Sequence, residues 1–179
     1  MILPNIRKPV PTKSAFTLIE ILVVIGIIAI LATIVLIAIN PAKQFAQARN
    51  TQRVSNVNAI LNAIGQRIAD NKGVFEGKFT IDGKDYFCNP LLTSDGPITT
   101  TARTSVDTTP SGELGCLVPT YIPALPTDPT WTSGASTLYN LVVGKDCNDV
   151  SAPGRVRVKA PKADDETSIP IPSSICVVR

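Results

Sequence analysis

At 179 residues, 44% of them hydrophobic, the chain has room for one modest folded domain beyond an apolar anchor, and nothing in it asks for two. It contains no histidine, which excludes Ser-His-Asp and Cys-His catalysis, and no G-x-x-x-x-G-K-[ST] loop, so any ATP-driven step belongs to a separate protein. The formal charge of +3 rests on Arg7, Lys8 and Lys13, without which 14 basic side chains balance 14 acidic ones and leave no electrostatic footprint for nucleic acid.

Residues 1–15 hold Pro4, Pro9 and Pro11 with no apolar periodicity, and read as an unstructured leader. Phe16 to Ile39, FTLIEILVVIGIIAILATIVLIAI, is almost continuously aliphatic and carries one charge, Glu20. As a helix it is about 36 Å long, enough to cross a hydrocarbon layer of about 30 Å. Gly26 is tolerated there because close packing and the absence of water keep the backbone helical. An ionisable group near hydrocarbon is costly, so Glu20 either snorkels to the head groups, stays protonated, or pairs with a cation. A cleavable secretory signal fits less well, since the apolar run is too long and Leu36-Ile37-Ala38 is a poor small-x-small site.

Asn40-Pro41 marks the far boundary, where proline removes a helical hydrogen bond and bends or loosens the helix. Beyond it Val54, Val57, Leu61, Ile64 and Ile68 recur at spacings of three and four, with Arg53, Asn56, Asn58, Asn62, Gln66 and Arg67 between them, as one apolar stripe with a polar face. Asp70 to Gly73 ends this half. The expected organisation is a leader at 1–15, a membrane or filament-core helix at 16–39, an amphipathic continuation of that helix at 40–72, and a β-rich head at 73–179. A continuous helix over 16–72 would be a rod of about 85 Å.

In the head, Lys78–Ile81 and Lys84–Phe87 flank Asp82-Gly83 and predict a hairpin with a type I′ turn. The Thr- and Ser-rich stretch Thr93 to Ser111 reads as an exposed loop, with surface O-glycosylation a lesser alternative. Leu138–Val143, Arg155–Lys159 and Ile175–Val178 read as strands. The alternation in Arg155–Lys159 turns its valines to the long helix and its basic side chains to water or a neighbouring subunit. Asp164-Asp165-Glu166 is an unbroken acidic run without the alternating spacing of a calcium loop, and reads as a solvated turn.

Cys88, Cys116, Cys147 and Cys176 all follow the apolar run, lack any C-x-x-C pair, and favour disulfides in an oxidising compartment over a metal site. That compartment sets the orientation, because Lys43, Arg49 and Arg53 after the apolar run match the basic residues before it: amino terminus inside, head outside. Four cysteines allow three connectivities. Loop closure favours Cys88 with Cys116 and Cys147 with Cys176, two loops of about 30 residues worth about 3 kcal/mol each. The second bridge would hold the last strand near Leu138–Val143.

Lys13-Ser14-Ala15-Phe16-Thr17-Leu18-Ile19-Glu20 resembles the processing site of type IV pilins and type II secretion pseudopilins, where a short basic leader ends in a small residue before Phe-Thr-Leu-Ile-Glu. The resemblance implies cleavage by a prepilin peptidase between Ala15 and Phe16, N-methylation of Phe16, and pairing of Glu20 with the amino terminus of a neighbouring subunit. Where the family has glycine before the cut, this chain has Ala15. The segment Tyr121 to Pro129, with Leu125-Pro126-Thr127-Asp128-Pro129, is similar to one that precedes the late strands of major pseudopilins. Those proteins hold calcium nearby; Asp128, Asp146 and Asp149 lie in the corresponding region, but the ligands do not match one by one and no metal is assigned.

The resemblance implies an α+β, pilin-like fold: a long amino-terminal helix on a small antiparallel sheet. The implied function is that of a structural subunit, not an enzyme and needing no cofactor, in a pilus or a protein-secretion pseudopilus. Its implied partners are further copies or related subunits, the prepilin peptidase, the membrane, and an assembly platform with a separate ATPase. It would be a single-pass protein of the cytoplasmic membrane before assembly and part of an extracellular or periplasmic filament afterwards. The alternative is a membrane-tethered binding module that never polymerises.

Overall fold

The structure, a computed structural model, describes residues 16–101, 109–169 and 174–179. The leader, with Ala15, and residues 102–108 of the Thr- and Ser-rich stretch lie outside the described residues. The chain divides into two compact units at the Pro41–Ala42 bond.

The first unit contains helix α1, Leu18–Ile39. Thr17 begins it: its backbone is extended, and its Oγ1 accepts the Glu20 N–H at 3.3 Å, so an otherwise orphaned helical donor is satisfied. No residue of α1 is buried. A helix apolar all round has no water-facing side, which suits lipid or a packed helix bundle. Among the described residues it is the one helix long and apolar enough to cross a membrane.

The continuous helix expected over 16–72 is two helices. Asn40 takes a left-handed conformation, φ 46° and ψ 80°, and α2 begins at Pro41. Proline lacks the N–H that would bond back into α1 and disfavours a helical conformation in the residue before it, so the helical hydrogen bonding is interrupted there.

In the second unit, α2 (Pro41–Asp70) buries Val57, Ile60, Leu61, Ala63 and Ile64. It ends where Lys72 and Gly73 turn left-handed and the Gly73 N–H reaches the Ile68 carbonyl at 2.8 Å. The buried face is shifted from the one the stripe predicts. Val54 is 44% exposed, while Arg53 and Arg67, expected on the polar face, are buried. Arg67 caps carbonyls, donating to Phe75 O at 3.2 Å, and lays its guanidinium 4.5 Å above the Phe79 ring.

Strands β1 (Gly77–Ile81) and β2 (Lys84–Cys88) form a two-stranded hairpin closed by Asp82 and Gly83, φ 49° and 75°, as a type I′ turn requires. A four-stranded antiparallel sheet follows, in the order β3 (Gly96–Thr99), β4 (Ser136–Lys145), β5 (Ser151–Ala160), β6 (Ile175–Val178). Ile98, Tyr139, Leu141, Val156 and Val158 from its inner face join the α2 side chains in one apolar cluster.

Strand β3 corrects the reading of residues 93–111 as exposed loop. Ile98 is fully buried, and β3 is roofed by the returning chain, with Thr99 N–H bonded to Gly112 O at 2.8 Å and Leu114 N–H to Thr99 O at 3.1 Å. A Cβ at Gly112 would stand 1.9 Å from the Pro97 carbonyl oxygen, so the close approach needs glycine. The Ser, Thr, Gly and Pro residues spread through 93–111 give this strand the composition of a loop.

Cys88, at the end of β2, is bonded to Cys116 in a 3-10 turn at Gly115–Leu117, and Cys147 is bonded to Cys176 in β6. Strand β6 lies against β5 and not against β4, so the second bridge does not hold it beside Leu138–Val143.

Candidate functional site

The candidate site of the first unit is the amino-terminal end of α1. Thr17-x-x-Glu20 is a capping box: Glu20 Oε2 accepts the Thr17 N–H at 2.8 Å and the Thr17 hydroxyl at 2.8 Å, while Thr17 Oγ1 accepts the Glu20 N–H. The single carboxylate of the apolar run therefore sits in the first helical turn, where the positive end of the helix dipole favours it. The spacing Thr-x-x-Glu was visible in the sequence as a helix start, a reading that the charge of Glu20 alone had hidden. Phe16, Ile19, Val23 and Val24 surround the carboxylate with apolar surface.

The second unit carries its charges differently. Arg53 of α2 is fully buried and grips Asp128 with two bonds, Nε to Oδ2 at 2.7 Å and Nη2 to Oδ1 at 3.0 Å. Its Nη1 donates to Glu166 Oε1 and to Asn50 Oδ1, each at 2.7 Å. Arg49 takes Glu166 from the other side, Nε to Oε1 at 2.7 Å and Nη2 to Oε2 at 2.5 Å. Two guanidinium groups and two carboxylates thus balance, with every bond charge-assisted. The bond from Arg49 holds the Glu166 carboxyl down to about 2, against burial and with help from Arg53. Burial opposes ionisation of Asp128, but Arg53 and the Thr130 N–H and hydroxyl outweigh it and its pKa is lowered. Arg53 is likewise resisted by burial and raised by its two carboxylates. The cluster fixes α2 to the segments before β4 and after β5.

This corrects two expectations. Glu166 is not part of a solvated turn but a buried acceptor, which the run Asp164-Asp165-Glu166 concealed because only its last member turns inward. Arg157 does not face water: it is 1% exposed and donates to Asp149 Oδ1 at 2.5 Å and Asp95 Oδ1 at 3.0 Å. Asp128, Asp146 and Asp149 do not converge. Asp128 is taken by Arg53, Asp149 by Arg157, and Asp146 Oδ1 accepts the N–H groups of Asn148 and Val150 at 2.9 Å. Among the described residues no group of three His, Cys, Asp or Glu side chains could hold a metal ion.

Of the residues singled out in the sequence, Phe16 and Glu20 share the end of α1, Pro41 opens α2, and the four cysteines form two bridges in the second unit. Compared with known families, residues 11–36 match the prokaryotic N-terminal methylation motif, a span that includes Phe16, Thr17 and Glu20. Motif and apolar helix together give family-level support for a prepilin-type, membrane-associated protein with an amino-terminal span. A pilin or pseudopilin assignment is consistent with that motif, and the antiparallel sheet that follows is broadly pilin-like. No curated protein and no solved structure matches the chain.

Proposed function

We propose that the chain is a structural subunit of a type IV pilus-like or type II secretion pseudopilus filament. In this reading a prepilin peptidase cuts between Ala15 and Phe16, the new amine of Phe16 is methylated, and α1 leaves the membrane to pack among its copies. Strands and α2 form the head, displayed on the extracytoplasmic side, and an assembly platform with a separate ATPase drives the process. The observation that carries this reading is the methylation motif lying on a helix with no buried residue and one carboxylate in its first turn.

The physical role given to Glu20 follows from its surroundings. An amine and a carboxylate from adjacent apolar helices remove part of each other's desolvation cost, so pairing favours association and fixes the axial step between subunits. To reach a neighbour's amine, Glu20 exchanges its bonds to Thr17 for an ionic partner. Glu20→Ala tests this, because it makes α1 more apolar and leaves membrane insertion intact. The expected result is a normal membrane fraction with filaments lost. Wild-type polymerisation by Glu20→Ala would defeat the pairing, and a wild-type chain that never leaves the membrane fraction would favour a tethered binding module.

A further inference from the structure

The hairpin between β4 and β5 does not run out straight from the sheet. Val143 pairs with Val156 and Lys145 with Ser151, so two steps along β4 oppose five along β5. Gly144 and Gly154, at φ 81° and 75°, lie in this bulge, in a backbone region that any side chain would strain. In a fully extended β5, Ser151 would stand about 26 Å from Lys159. Yet Cys147, four residues before Ser151, has its Cα 5.8 Å from that of Cys176, the cross-strand partner of Lys159. The tip, residues 145–151, is therefore folded back along the sheet.

Two side chains are buried on the face opposite the core, and the folded tip bonds to one of them, Arg157. Val142 is fully buried although it lies outside the main apolar cluster, and its cross-strand partner is Arg157. Arg157 Nη1 donates to the Asp146 carbonyl at 2.6 Å as well as to Asp149, while its buried Nε has no partner. The noncovalent ties are modest, since the Asp149 side chain is 58% exposed and solvent weakens its ion pairs. The covalent tie to β6 is the strong one.

We propose that Cys147–Cys176 is a redox latch on this flap. A dithiol reductant supplies two electrons and two protons: one of its thiolates attacks a sulfur of the bridge, the second resolves the mixed disulfide, and Cys147 and Cys176 leave as thiols while the reductant closes to its own disulfide. The freed tip swings on Gly144 and Gly154, and Arg157 and Val142 meet solvent. The other bridge is not part of the device. Cys88 and Cys116 are buried in the apolar cluster, whereas Cys147 and Cys176 are each partly exposed and open to attack.

The test is a graded dithiol titration of the full chain in detergent, with thiols mapped by differential alkylation and amides followed by hydrogen exchange. Cys147 and Cys176 should be alkylated at a dithiol concentration about tenfold below that needed for Cys88 and Cys116. Amides of 145–152 should then exchange at least about tenfold faster while those of 57–68 and 138–143 keep their protection. A Cys147→Ser/Cys176→Ser variant should show the open pattern without reductant. Continued protection of 145–152 after reduction, or in that variant, would overturn the latch. So would simultaneous reduction of both bridges, or loss of protection at 57–68 in step with the tip, which would make the bond a staple for the whole head.

Discussion

Arg53→Met keeps much of the apolar stem of Arg53 and deletes the guanidinium, which leaves Asp128 buried with only the Thr130 N–H and hydroxyl as partners. Glu166 is less affected because Arg49 still holds it with two bonds. Removing one partner of a buried ion pair costs about 3–5 kcal/mol. For a unit of roughly 140 residues the unfolding entropy is about 0.3 kcal/mol per kelvin, so the melting temperature should fall by about 10–17 °C. Circular dichroism of the detergent-solubilised protein with its disulfides intact measures it. Arg53→Met/Asp128→Leu should recover much of the loss, because an apolar pair of similar volume carries no desolvation debt. The gap between wild type and Arg53→Met should also close in acid. Asp128 and Glu166 have lowered folded pKa values, so their contribution is present above the unfolded values near 4 and is lost as pH falls through the folded ones. A single variant melting within about 3 °C of wild type would refute the reasoning, since that is worth only about 1 kcal/mol.

Three further outcomes follow. Mass spectrometry of the mature protein should find an amino terminus at Phe16 carrying a methyl group, with Ala15→Gly processed at least as well as wild type and Ala15→Leu accumulating as precursor; an intact Met1 or a start after Ala38 would contradict the processing. Ile98→Ala should destabilise the head by about 2–5 kcal/mol in a denaturant titration, as a fully buried β3 requires, and an exposed loop would lose almost nothing. Between pH 4.5 and about 2 wild-type stability should fall as Glu166 takes up its proton, and Arg49→Ala should flatten that limb because Arg49 is the largest cause of the lowered value.

What the sequence made legible was what a short window can encode. The Asp82-Gly83 turn, the valine alternation at 156 and 158, the last strand at Ile175–Val178 and the apolar run of α1 each depend on residues close in the chain. What stayed hidden depends on partners far apart. Arg53 reads as polar surface because its carboxylate partners stand 75 and 113 residues away, and nothing near Arg53 announces them. Arg157 hides for a different reason: its alternation is correct and two of its partners are only 8 and 11 residues away, but they lie on a hairpin tip that folds back over its face. Ile98 is hidden inside a Thr- and Ser-rich stretch whose average composition outweighs one apolar side chain. At the candidate site the capping-box spacing Thr17-x-x-Glu20 is the local signal that marks Thr17.

The most direct test of the central claim is electron microscopy of filaments sheared from cells that make this protein, with the filament fraction digested and its peptides identified by mass spectrometry. The expected result is filaments built of a subunit that starts at Phe16 and contains both bridged cysteine pairs. Recovery of the chain only from the membrane fraction, under conditions where the cells assemble other filaments, would contradict it.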